Sequence, residues 1–321
     1  MALINYLDFV DLWFKLRERG TTYAAKKLIS SNENRIKSTW EEDELPGSNW
    51  WQVDEVRQRW NELITGSKTK IYPDYVVEKW LAGKSNLKML SIGCGTGQRE
   101  IEFAKHNCFS RIDAFDIAQK AIDDANKTAQ EKGLKNCNFF VGDVYKDQWP
   151  NEEYDVVLFH SSLHHFKNIN TLLQKVKKTL KPNGFVIINE YVGANRFQFT
   201  DSRKQFVNEQ YKTVVPNIYK TRKNSTAIKH NVYFPGNLRM VISDPSEAVE
   251  SETILPLMQA NFTLVEQKNY CGNLLTFILK DIAHHFNNPA SHKTLLQLFE
   301  IENQLIIKEQ QSDFVFAIYR K

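Results

Sequence analysis

From Met89 onward the chain alternates between two hydrophobic periods. Short apolar, β-branched and aromatic runs predict strands at 89–92, at 111–117 (RIDAFDI), at 137–143 (CNFFVGD), at 154–160 (YDVVLFH) and at 185–191 (FVIINEY). Between them, amphipathic spacing predicts helices over 98–106, over 118–132 ending at Gly133, and over 172–180 closed by Pro182 and Gly184. Such alternation implies a parallel sheet covered on both faces, with ligands gathering at the carboxyl ends of its strands. The alternation breaks at 193–242. Asp244, Pro245 and Glu247 then spell a helix start, as N-cap, N1 proline and capping-box Glu, with Pro256 marking a kink or restart after Ser251. A sixth strand is expected at 262–270, an apolar helix over 274–286, another over 293–308, and a seventh strand at 312–320.

Ahead of the sheet the pattern is helical throughout. Tyr6, Phe9, Val10, Trp13 and Leu16 share one face of a helix stopped by Gly20, and Ala24, Ala25, Leu28 and Ile29 suggest a second. After the turn-prone EEDELPGS stretch, Val53, Val56, Trp60, Leu63 and Ile64 mark a third, and Pro73 opens a fourth carrying Val76, Val77, Trp80 and Leu81. Six of the seven tryptophans lie in this first quarter. They read first as bulk that buries added helices against a sheet, and second, for Trp50, Trp51 or Trp60, as walls of a ligand pocket.

Composition narrows the class. With 321 residues, 42% hydrophobic and 25% charged, the chain has material for a sizeable core, and a net charge of +4 is far from the basic stripe of a dedicated nucleic-acid binder. No run of 18 apolar residues suggests a membrane span, and the N-terminal segment does not read as a signal peptide, which makes the cytoplasm the expected location. Cys94, Cys108, Cys137 and Cys271 show no metal-ligand spacing and suit reduced thiols. Asp281, His284 and His285 have helical i, i+3, i+4 spacing but no further ligand, so a helix-end charge cluster is expected there and no metal site.

The chemistry concentrates at the strand ends. After the first strand comes GCGTG, with Gly93, Gly95 and Gly97 at alternate positions leading into a helix, a turn whose backbone can approach an anionic ligand. The third glycine arrives one residue early for the dinucleotide pattern G-x-G-x-x-G, which disfavours a nicotinamide enzyme. Asp116 ends the second strand, where a carboxylate can accept from both hydroxyls of a ribose, and Asp143 ends the third, where it or the Val144 backbone can meet an adenine amine. Each Asp alone reads equally well as a turn or cap; their matching register favours a site.

The succession GCGTG, DAFDI, VGDV, YDVVLFHSSLHHF and LKPNGFVIINEY, over roughly residues 85 to 195, resembles the ordered motif set of the class I S-adenosylmethionine-dependent methyltransferases. VRQRWNELITG ahead of it, and NEYVGANRFQFTD and SDPSEAVESETILPLM behind, resemble a bacterial subgroup met in glycan and specialised-metabolite pathways. The resemblance implies a Rossmann-like α/β fold with a seven-stranded, mostly parallel sheet and an antiparallel seventh strand beside the fifth. It divides the chain into an N-terminal helical extension (1–84), a cofactor-binding core (85–192), a lid-like insertion (193–242) and the C-terminal part of the core (243–321). It also implies S-adenosylmethionine as cofactor and S-adenosylhomocysteine as product. Gly93, Cys94, Gly95 and Gly97 would border the methionine moiety, Asp116 and Ile117 the ribose, Asp143 and Val144 the adenine, with His160 and Ser161 beside the bound cofactor.

Methyl transfer needs a nucleophile held close to the methyl carbon and, for a hydroxyl, a base. His164 and His165 follow the fourth strand at the lip where an acceptor would enter, and histidine is a workable base at neutral pH. His164 is preferred, since neighbouring residues in a turn are not expected to point the same way. Glu190 and Tyr191, at the end of the fifth strand, are further candidates for orientation or proton transfer, or for a capping role. In the insertion, Arg196, Phe197, Tyr211, Tyr219 and Arg222 suit a sugar or another polar acceptor, or else the cluster from Lys212 to Lys229 is a solvated basic helix. The expected activity is O-methylation of a small-molecule or glycan hydroxyl, with N-methylation of a small metabolite or cofactor binding without turnover as alternatives. No nucleic-acid partner is expected.

Overall fold

The computed structural model describes residues 48–310 and 312–321. The two helices expected over residues 6–16 and 24–29 lie outside the described residues. Helices α1 (Asp54–Thr65) and α2 (Tyr72–Trp80) lead into β1 (Leu87–Ile92), α3 (Gln98–Ala104), β2 (Phe109–Asp116), α4 (Gln119–Glu131), β3 (Cys137–Val141) and β4 (Tyr154–His160). Then come α5 (Ile169–Thr179), β5 (Leu180–Tyr191), α6 (Asp201–Val214), α7 (Asn237–Ser243), α8 (Ile254–Asn261), β6 (Thr263–Cys271), α9 (Leu275–Ile278), α10 (His292–Glu309) and β7 (Phe314–Arg320).

The seven strands form one sheet in the order β3-β2-β1-β4-β5-β7-β6. β7 is antiparallel to both β5 and β6, and the pairs β1–β2, β1–β4, β2–β3 and β4–β5 are parallel. Strand residues alternate between two cores. Val156 and Leu158 of β4 join the cluster under α1 and α2, whereas Val157 and Phe159 join the one under α5 and α8. A strand buried on both faces needs apolar side chains at odd and even positions alike, which is why these strands read as continuous hydrophobic runs.

The tryptophan-rich lead-in packs against the sheet. Trp50 is buried with its ring 4.7 Å from that of Trp60 and 5.4 Å from Phe314, and Trp60 meets the edge of Tyr270. Trp51 is exposed. Trp50 and Trp60 therefore serve the core.

Three expected elements differ. The apolar stretch 274–286 forms only the single turn α9, followed by a 3₁₀ turn over Ala283–Asn287. The cause lies in what its backbone bonds to. Glu302 of α10 accepts the N–H groups of Leu274 and Leu275, and the ammonium of Lys229 takes the carbonyls of Phe277, Ile278 and Lys280 that a longer helix would bond itself. Asp281 then sits at φ 70°, its N–H donating to Ser48. The Lys212–Lys229 cluster is consequently no solvated helix, since Lys220 and Lys229 are both buried. Third, no helix begins at Asp244: residues 244–250 form a turn, and α8 starts at Ile254 with Pro256 in its first turn.

Glu302, fully buried, also holds Arg59 of α1 at 2.8 Å, so one carboxylate caps α9 and docks α1. Removing one partner of a buried pair strands the other charge. Arg59→Ala should therefore lower unfolding free energy by about 3–5 kcal/mol, read from the midpoint of urea denaturation; a shift under about 0.5 kcal/mol, typical of a surface change, would refute this role.

Candidate active site

The loop after β1 is shaped by backbone that only glycine adopts freely. Gly93, Gly95 and Gly97 all lie at positive φ, between 52° and 72°. A Cβ on Gly97 would stand 2.5 Å from the Phe139 ring, so any side chain there would push α3 off β3. At Gly95 a Cβ would meet nothing, leaving that face of the loop open. The loop is held from the next strand: the Gly93 and Cys94 N–H groups donate to the Phe115 carbonyl, and the Gly95 N–H donates to Asp116 at 2.9 Å. The second Asp116 oxygen accepts from Ala118 N–H, closing a tight turn just ahead of α4.

Farther along the edge, Asp143 accepts from Tyr145 N–H and pairs with Lys146 at 2.9 Å. Burial works to raise its pKa, but these bonds outweigh it and the carboxyl is held below its usual range. Val144 is buried, and its carbonyl takes the Lys175 ammonium at 2.9 Å. Gly93, Cys94, Gly95, Asp116 and Ile117 are thus brought together around one loop, with Asp143 and Val144 at the neighbouring strand end.

On the other side of the loop, His160 ends β4 and receives the Arg99 guanidinium at its Nε2, 3.3 Å away. Its ring packs on Tyr72 of α2, with centroids 5.6 Å apart. The His160 Nδ1 and the Tyr72 hydroxyl are both buried without a hydrogen-bond partner in the protein. Burial, aided by Arg99, holds the His160 pKa well below its usual value. Neither Tyr72 nor Arg99 was distinguishable in sequence: one looks like helix N-terminal bulk, the other like a surface cation after the glycine loop.

The most tightly built part is the turn after β4. Ser161 has φ 51° and donates to Asn189, and the Ser162 hydroxyl reaches the Ile92 carbonyl at 2.7 Å. Glu190, completely buried at the end of β5, accepts from the N–H groups of Ser162 at 2.6 Å and Leu163 at 2.8 Å. Its other oxygen meets His164 Nδ1 at 2.7 Å. A carboxylate facing Nδ1 places the ring proton there and leaves the lone pair on Nε2. Burial opposes charge on His164, but the Glu190 bond and the charges of Glu190, Glu247 and Asp244 outweigh it and raise its pKa. His165 shifts the other way, lowered by burial and by its neighbour His164. Tyr191 is buried, its hydroxyl donating to the Ala194 carbonyl and its ring edge-on to His164 at 6.0 Å.

The expectation that the two histidines diverge is not met. Their rings lie 4.2 Å apart, and both Nε2 atoms approach Glu247, at 3.6 Å from His164 and 4.0 Å from His165. Glu247 belongs to the 244–250 turn, which folds over the pair: Val249 N–H donates to the His164 carbonyl, and the Ser246 hydroxyl lies 3.3 Å from His165 Nδ1. Asp244 does bond Ser246 as an N-cap would bond its second residue. The helix fails to propagate because Arg196 donates to the carbonyls of Asp244, Pro245 and Glu247, and Ala248 turns to φ 48°. Glu250 instead caps α5 through Asn168 and Ile169 N–H. Arg196 is thereby committed to the backbone and not to an acceptor.

The other insertion residues fare differently. Phe197 packs on Tyr191 at 4.7 Å, beside the turn. Tyr211 is fully buried with its hydroxyl on the Lys229 carbonyl, Tyr219 packs on His285 and Phe286, and Arg222 pairs with Asp281 at 2.8 Å. These three hold the insertion to the protein. His284 and His285 are engaged by Ser48 and the Thr221 carbonyl.

The family described as Methyltransferase domain matches residues 83–287. The chain is 28% identical over 156 residues to a ubiquinone biosynthesis O-methyltransferase of Rickettsia canadensis, covering 48% of this chain and 62% of that one. It is 25% identical over 132 residues to a phosphoethanolamine N-methyltransferase of Plasmodium falciparum, covering 40% and 48%. In both cases the match spans less than two thirds of the relative's own length. A crystal structure of an S-adenosylmethionine-dependent methyltransferase from Aquifex aeolicus superposes with a TM-score of 0.42 at 12% identity, covering 84% of this chain and 96% of that one. With a family match over residues 83–287, a seven-stranded sheet and a glycine loop tied to Asp116, the chain belongs to the class I S-adenosylmethionine-dependent methyltransferases.

Proposed function

We propose that the protein transfers the methyl group of S-adenosylmethionine to a hydroxyl oxygen of a small-molecule acceptor, with His164 as the base. The observation that carries this reading is the buried Glu190–His164 pair, which fixes the imidazole by its Nδ1 and leaves Nε2 directed toward Glu247, in a turn that Ser162 ties to the end of β1. In the step, the acceptor oxygen forms a bond to the methyl carbon as the carbon–sulfur bond breaks. The bonding pair goes to sulfur, giving neutral S-adenosylhomocysteine, and the hydroxyl proton passes to His164 Nε2.

The cofactor's methionine part is assigned to the loop of Gly93, Cys94, Gly95 and Gly97, with the open face at Gly95 giving it room. The ribose is assigned to Asp116 and Ile117, the adenine to Asp143 and Val144, and His160 and Ser161 flank the sulfonium side. Glu190 is a positioning residue, Tyr191 and Phe197 wall the acceptor side, and His165 assists from the neighbouring position. The insertion residues that suggested a sugar, Tyr211, Tyr219 and Arg222, are spent on packing. The acceptor is therefore put no more narrowly than a small-molecule hydroxyl. One of the two relatives above is named for O-methylation and the other for N-methylation, which keeps an amine as the second reading.

His164→Ala should cut transfer by about 10²–10⁴-fold, the usual contribution of a general base, while S-adenosylhomocysteine binding by calorimetry stays within about twofold; equal loss of both would make the residue structural. Asp116→Asn should instead weaken that binding by about 10-fold or more, the scale of a charged hydrogen bond. Labelled methyl transfer into acceptor pools, followed by mass spectrometry, reads the acceptor atom, and label found on amines alone would overturn the oxygen assignment.

A further inference from the structure

Both histidine pairs of this chain, His164–His165 and His284–His285, stack their rings about equally closely, at 4.2 and 4.0 Å. Their surroundings differ. His285 Nε2 is tied to a backbone carbonyl at 2.9 Å. Around His164 and His165 the Nδ1 atoms face outer partners, Glu190 and Ser246, and the Nε2 atoms converge with the Glu247 carboxylate, all within 4.8 Å of one another.

We propose that His164 Nε2, His165 Nε2 and the Glu247 carboxylate bind one divalent first-row transition-metal cation of the zinc type. The 3.6 Å from His164 Nε2 to Glu247 is too long for a hydrogen bond and close to the edge of a tetrahedron with ligands about 2.1 Å from zinc, about 3.4 Å. The 4.0 Å from His165 needs only a small rotamer adjustment. The outer bonds supply what a metal-binding histidine ordinarily has: a carboxylate or hydroxyl on the remote nitrogen that fixes the ring and its tautomer. Two imidazoles and one carboxylate favour zinc, iron or nickel over magnesium and calcium, which prefer all-oxygen shells. Three protein ligands leave a position open for an oxygen.

The binding claim stands apart from methyl transfer. Its consequence for the reaction rests on the hydroxyl reading above: a bound cation would occupy the His164 Nε2 lone pair, so His164 serves as the base only in the cation-free chain.

The test uses the full chain, stripped with chelator and titrated with Zn²⁺ by calorimetry and with Co²⁺ by visible absorption, with no turnover required. One cation per chain is expected. Glu247→Ala and His165→Ala should each weaken it by more than the ~10–100-fold expected for Glu190→Gln, while the double variant His284→Ala, His285→Ala leaves it unchanged. Retained S-adenosylhomocysteine binding shows that the variants fold. X-ray absorption of the zinc-loaded native chain, which needs no variant, should show imidazole nitrogens at about 2.0–2.1 Å. No binding to the native chain, binding indifferent to Glu247→Ala and His165→Ala, or a sulfur-containing or all-oxygen shell would overturn the proposal. Metal binding without methyl transfer would leave it standing and remove only the proposed reaction.

Discussion

A carboxylate with no exposure to water, Glu190, joins two strands of the sheet to the turn that carries His164. One oxygen accepts two backbone N–H groups from the loop after β4 and the other takes the His164 ring. A buried carboxylate without partners would carry a large desolvation cost, and here three donors surround it. The arrangement works in both directions. The sheet places Glu190, and Glu190 determines where the Ser162–His165 turn can sit. Because Ser162 also bonds the end of β1, the same turn is fixed against the glycine loop, and the histidine turn and the glycine loop are parts of one hydrogen-bonded body.

The segments that leave the alternating pattern are held by similar means. Arg196 collects three carbonyls of the 244–250 turn, Lys229 collects three from the end of α9, and Arg203 of α6 forms a two-pronged pair with Asp313 at the start of β7. In the first two cases a cation of the insertion satisfies backbone carbonyls that regular structure would otherwise have to satisfy. The basic character of 193–242 is thus largely internal. Burial pushes the Asp313 carboxyl up to about 6 even with Arg203 beside it, a measure of how dry this docking surface is.

Much of the fold was legible because its cause is periodic. All seven strands fall where apolar runs were expected, and β4 coincides with YDVVLFH residue for residue. The glycine loop was legible because glycine at three alternate positions directly after a strand marks backbone that residues with a Cβ rarely adopt. What escaped depends on partners distant in sequence. The 274–286 stretch reads as helix, yet Lys229 takes the carbonyls that its continuation would need. Asp244–Pro245–Ser246–Glu247 has the composition of a helix start, and only Arg196, 48 residues earlier than Asp244, converts it into a turn over the histidines. Glu247 therefore carried no local sign of its place between His164 and His165. Tyr211 and Arg222 show the converse: residue types suited to ligand contact can equally be anchors, and chemistry alone does not distinguish the two.

The central claim is that Glu190 acts on transfer through His164. A double-mutant cycle on the rate of labelled methyl transfer tests it directly, with S-adenosylhomocysteine affinity measured alongside. Glu190→Gln should be harmful alone, yet in the His164→Ala background it should add little further loss, with cofactor affinity held throughout. Losses that simply add, or a collapse of cofactor binding in Glu190→Gln, would contradict the account.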